Sequence, residues 1–195
     1  MLLRSIVVVL LLISSANAFK FDKWESGKEL KECINIAREN NIPLITGNRN
    51  VSSSSNFTWQ YLKDYQKYRK FKYYTSLFGN NAWIYLYFTQ NKSELYKIEI
   101  RWNSYGQDKN TFERTLSNIL DKKYGKKEVV MPSNIGEYIF KKMRKWTPDK
   151  RTEILLERSS AGFLLIYRDT IIEQEVEVEK KKKKLNMIIT DAPKL

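Results

Sequence analysis

The chain has 195 residues, with 35 Lys and Arg against 22 Asp and Glu, a formal charge of +13 at pH 7, no histidine and one cysteine. These counts exclude Ser-His-Asp and Cys-His nucleophiles, an ordinary zinc site and any intramolecular disulfide. The length favours one domain held together by core packing.

Residues 1–4 carry one positive charge, residues 5–13 (SIVVVLLLI) are apolar, and residues 14–18 (SSANA) end in small side chains. Basic, apolar and small-x-small segments in that order predict a secretory signal peptide over 1–18, cleaved after Ala18. The apolar run is shorter than the roughly 20 residues that span a bilayer as a helix. The expected product is periplasmic or secreted. It carries a single domain over 19–179 and a basic C-terminal tail over 180–195, and no transmembrane segment is expected after cleavage.

Ser26 and Glu29 have capping-box spacing, and Leu30, Cys33, Ile34 and Ala37 follow at i, i+3, i+4 and i+7. This predicts a helix that stops near Asn40, ahead of Pro43. Cys33 falls on its apolar face and reads as a small buried hydrophobe. Residues 46–56 are small and polar, hence a loop. Residues 57–71 gather Phe57, Tyr61, Leu62, Tyr65 and Tyr68 on one helical face, so a helix is expected there.

Strands follow. Residues 72–78, ended by Gly79 and Asn80, are expected to pair with 82–88 (AWIYLYF), which reads as a central strand. Residues 95–102 alternate Tyr96, Ile98, Ile100 and Trp102 with Lys97, Glu99 and Arg101, so one face is wet; residues 89–93 make the hairpin turn. Asn110 and Glu113 repeat the capping spacing before Phe112, Leu116, Ile119 and Leu120, an amphipathic helix closed by Gly125. Strands are then expected over 137–146, 152–158 and 163–168, with a turn at 159–162 and a capped segment opening at Thr170. The fold class is therefore α+β, an antiparallel sheet with helices mainly on one face. The passages 70–125 and 137–188 suggest two βββα repeats.

Two features are candidate binding surfaces. In 82–88 one side carries Trp83, Tyr85 and Tyr87, able to stack on a ligand if the sheet is uncovered there. The second is the run Lys180, Lys181, Lys182, Lys183 and Lys184. Glu177 with Lys181 and Glu179 with Lys183 stand at i,i+4, which favours a solvated helix fraying near Asp191; the run would also suit an anionic surface. Such charge favours an anionic envelope polymer, lipid or protein partner. The basic residues are 25 Lys and only 10 Arg, a balance that argues against nucleic acid, whose readers lean on the bidentate Arg fork.

No Gly-rich phosphate loop occurs, and no cofactor or catalytic residue is assigned. The expected function is an exported non-enzymatic binding or accessory protein. The alternative is an exported carboxylate-dependent hydrolase using a pair such as Glu153 and Glu157. Asn50, Asn56 and Asn91 begin N-x-S/T triplets.

Overall fold

The computed structural model describes residues 19–47, 49–52, 69–103, 108–130, 143–159 and 161–191. The expected signal peptide, most of the expected helix over 57–71, the Asn56 triplet and the first part of the strand expected over 137–146 lie outside these residues.

The α+β class holds. Among the described residues, nine strands form one antiparallel sheet in the order β4-β3-β5-β6-β7-β11-β10-β9-β8. They are β3 (Ile45–Thr46), β4 (Arg49–Asn50), β5 (Lys70–Leu77), β6 (Asn80–Phe88), β7 (Leu95–Asn103), β8 (Glu128–Val130), β9 (Met143–Trp146), β10 (Thr152–Ser159) and β11 (Gly162–Asp169). A separate hairpin joins β1 (Lys20–Phe21) to β2 (Trp24–Glu25). The helices are α1 (Leu30–Glu39), α2 (Lys109–Tyr124) and α3 (Thr170–Asp191).

The sheet has one greasy face because side chains alternate along each strand. Ala82, Ile84, Leu86 and Phe88 of β6 are buried in one cluster with Ile98, Ile100 and Trp102 of β7 and Phe163, Leu165 and Tyr167 of β11. Leu30, Cys33, Ile34 and Ala37 of α1 and Phe112, Leu116 and Leu120 of α2 close over that inner face. Trp102, Phe112 and Phe163 meet edge-on, with centroids 5.5 and 5.1 Å apart. Each such side chain withdrawn from water contributes about 1.5–3 kcal/mol.

The two-residue turn between β5 and β6, Phe78-Gly79, has φ of +54° and +72°. Both values are left-handed, as a hairpin of this length needs to match strand twist. At the other end of β6, Tyr87 pairs with Lys97 but Phe88 pairs with Leu95. Tyr96 is thus the extra residue of a bulge. The bulge turns Tyr96 to the outer face, where it packs with Ile172 and Val176 of α3 and with Tyr87.

The expected element order is present twice, as β5-β6-β7-α2 and β9-β10-β11-α3. The sheet halves mirror one another about the β7–β11 pair. The helices do not: α2 covers the inner face and α3 the outer, so the second unit is not a spatial copy of the first. Two of the three described helices therefore share a face.

Several local expectations are corrected. Lys70 and Phe71, read as the end of a helix, open β5, because Phe71 pairs with Leu86 and points into the core. The helix caps also move. Ser26 does not cap α1; its hydroxyl accepts from the Phe19 N–H and closes the β1–β2 hairpin, while Glu29 N–H donates to Glu32 at the helix start. Asp108, not Asn110, caps α2 by accepting from Asn110 N–H. Asp169, not Thr170, caps α3 by accepting from Ile171 and Ile172 N–H. A carboxylate at these positions meets both the free N–H groups and the positive end of the helix dipole. Gly125 ends α2 as expected, at φ +87°. The strand β8 was not expected; only three residues long, it is too short to show alternation.

Candidate functional site

The outer face of the sheet carries the candidate site. Strand alternation puts Trp83, Tyr85 and Tyr87 there as a row along β6, each half-buried. Register with β5 and β7 then supplies the neighbours. Tyr74, Lys72 and Lys70 of β5 stand opposite Trp83, Tyr85 and Tyr87 on one side. Arg101, Glu99 and Lys97 of β7 stand opposite the same three on the other.

Four cations lean over the rings. Lys72 Nζ lies 4.7 Å from the Trp83 centroid, Lys70 Nζ 4.4 Å from Tyr85 and Lys97 Nζ 4.2 Å from Tyr87. Arg101 Cζ lies 4.6 Å from the Tyr85 centroid. Each distance suits attraction to the ring quadrupole, worth about 0.5–1 kcal/mol where water reaches the pair. Tyr74, 49% exposed, leans on Trp83 with centroids 5.1 Å apart.

Beneath this layer sits one buried carboxylate, Glu99. It accepts from Tyr87 O–H at 2.7 Å and Arg101 Nη2 at 2.5 Å, with Lys97 Nζ at 3.2 Å. Burial alone would raise its pKa, but hydrogen bonds from Arg101 and Tyr87 and the charge of Lys97 outweigh that and hold it below the ordinary carboxylate value. Glu99 neutralises only part of the cluster. Lys70 is depressed by its burial and then by the like charges of Arg101, Lys97 and Lys72, with Glu99 opposing. An arriving anion would relieve that repulsion.

The basic run lies elsewhere. Lys180 to Lys184 stand within α3, all exposed. Lys180 pairs with Glu177 at 2.7 Å, and its charge reaches the phenol of Tyr96. The second core cluster brings α3 over the Tyr87 end of the row.

The carboxylate pair expected of a hydrolase is placed differently from an acid–base pair. Glu153 and Glu157 stand four apart on β10, which separates their Cα atoms by about 13 Å. Glu153 is 6% exposed and held by Lys145 and by Arg168. Burial favours its neutral form, yet the Lys145 hydrogen bond and the Arg168 charge prevail and lower its pKa. A general acid needs the opposite shift. Among the described residues no group of three or more His, Cys, Asp or Glu could hold a metal ion. Nor is any described helix long and apolar enough to cross a membrane.

Sequence reading found the aromatic row but not Tyr74, Lys70, Lys72 or the four-cation arrangement. The available signal was the wet alternation Lys97, Glu99, Arg101, which pairing with β6 converts into a flank of the row. Compared with known proteins, the chain matches no family model, no curated protein and no solved structure.

Proposed function

We propose that this is an exported, non-enzymatic binding protein that takes a linear anionic polymer of the cell envelope along the row Trp83, Tyr85 and Tyr87. The single observation that carries the reading is the seating of Lys70, Lys72, Lys97 and Arg101 over that half-exposed row. A row of rings between two files of cations suits a chain that presents flat, apolar sugar faces and regularly spaced charges. The overall excess of positive charge and the exposed Lys180–Lys184 run add long-range attraction.

The carboxylate-hydrolase alternative has weaker support, because Glu153 is committed to Lys145 and Arg168.

The test is retention of the purified protein on immobilised polyphosphate, polyuronate and single-stranded DNA as salt is raised. Binding to either envelope-type polymer that weakens with salt and survives in preference to DNA is the expected result. Preference for DNA, or no binding to any of the three, would overturn the reading.

A further inference from the structure

A different surface lies on α3. The helix docks on the sheet through Ile172 and Val176. Its opposite side exposes Ile171, Val178 and Leu185, at 47%, 50% and 58%. These three are seven residues apart, so they form one stripe along the helix. No other side chain on that stripe is a large exposed hydrophobe among the described residues.

Charge along α3 is divided by sequence. Glu173, Glu175, Glu177 and Glu179 occupy the first half, and Lys180 to Lys184 follow. A parallel pairing would lay lysines beside lysines. An antiparallel pairing lays the acidic half of each helix against the basic half of the other. Helical angles of 100° per residue set Glu175 and Lys182 on one edge of the stripe. With Val178 at the two-fold axis, Ile171 faces the partner's Leu185. Glu175 then reaches the partner's Lys182. The contact is isologous, so it closes as a dimer and does not propagate.

We propose that α3 pairs antiparallel with α3 of a second copy through Ile171, Val178 and Leu185, its register set by the division between glutamates and lysines. The contact Glu175 makes within one copy does not oppose this. Glu175 meets Lys92 at 3.7 Å with both side chains more than half exposed. Exposed pairs of this kind exchange partners at little cost.

The test is sedimentation equilibrium of the purified protein over roughly two decades of concentration, with Val178→Lys as the disrupting variant. Val178 is half exposed, so the substitution leaves the fold intact. A concentration-dependent dimer is expected, weakened by salt and weakened at least about tenfold by Val178→Lys, which sets two like charges together at the axis. Orientation is read by cysteine crosslinking. Copies carrying Ile171→Cys should join to copies carrying Leu185→Cys and not to one another, since a disulfide needs Cα atoms within about 7 Å. A monomer at every concentration, an unchanged dimer in Val178→Lys, or Ile171→Cys copies that link to themselves would each overturn the proposal.

Discussion

Tyr87 donates a 2.7 Å hydrogen bond from its phenol to Glu99 Oε2, and so ties the aromatic row to the carboxylate that anchors the surrounding cations. Tyr87 is also the ring on which α3 rests. Glu99 therefore organises both the candidate binding face and the approach of the last helix. Replacing it with Ala should leave Tyr87, Lys97 and Arg101 without their shared acceptor and cost about 1–3 kcal/mol. Urea unfolding at neutral pH checks this.

Acid sensitivity should follow from the same residue and from Glu153. Both carboxyls sit below their ordinary value of 4.5 in the folded chain. Folding therefore favours their ionised forms. The stability they contribute is complete above about 4.5 and is lost as pH falls through the lowered folded values. Glu99→Gln should flatten the fall in urea midpoint between neutral and acidic pH. An unchanged slope would show that Glu99 is not one of the groups responsible.

Gly162 opens β11 opposite Asn103, with φ of +145°. A Cβ built there meets the Trp102 backbone oxygen at 1.9 Å. Backbone cannot swing aside as a flexible side chain can, and the dihedral is itself one that L residues avoid. Gly162→Ala should destabilise by at least about 3 kcal/mol, among the larger single-residue effects. Thermal unfolding gives the answer directly.

Asp169 is fully buried and joins two roles. It accepts from the Ile171 and Ile172 N–H groups and pairs with Arg151 at 2.5 Å. Asp169→Asn keeps an oxygen for the cap but removes the charge, so it should cost less than Asp169→Ala, which strands two N–H groups and removes the Arg151 ion pair. The difference should be about 1–2 kcal/mol. Circular dichroism should also show helix loss in the alanine variant alone.

The Cys33 thiol is fully buried, and burial followed by the charge of Glu32 pushes its pKa up to about 12. Only the thiolate reacts. A maleimide at mildly alkaline pH should leave the folded chain unlabelled and modify it at once in denaturant. Rapid labelling without denaturant would mean that α1 opens readily.

The strands were legible where a bounded apolar run stood out, as in β6, or where period-two alternation ran long enough, as in β7, and α1 and α2 where apolar residues recurred at helical spacing. Their packing partners were less so. The helix caps slipped by one to three residues because Ser26 and Asn110 offered plausible capping patterns, whereas the acids that fill the positions, Glu29, Asp108 and Asp169, are favoured by the helix dipole. The aromatic row was visible along one strand, but its cations come from β5 and β7, and only the hairpin registers bring them beside it. The bulge at Tyr96 was hidden as well: in sequence Tyr96 continues the alternation of Ile98, Ile100 and Trp102, yet it faces the other way.

The central claim is that the outer-face row and its cations form the binding surface. The most direct measurement is fluorescence anisotropy of labelled polyphosphate and polyuronate, titrated with the native protein, with a Lys70→Gln, Lys72→Gln, Arg101→Gln variant, and with one in which Lys181 to Lys184 become Gln. Loss of at least about tenfold in affinity for the favoured polymer is expected from the sheet variant, with a smaller and more uniform loss from the helix variant. Unchanged affinity in the sheet variant, with its fold intact by circular dichroism, would contradict the account.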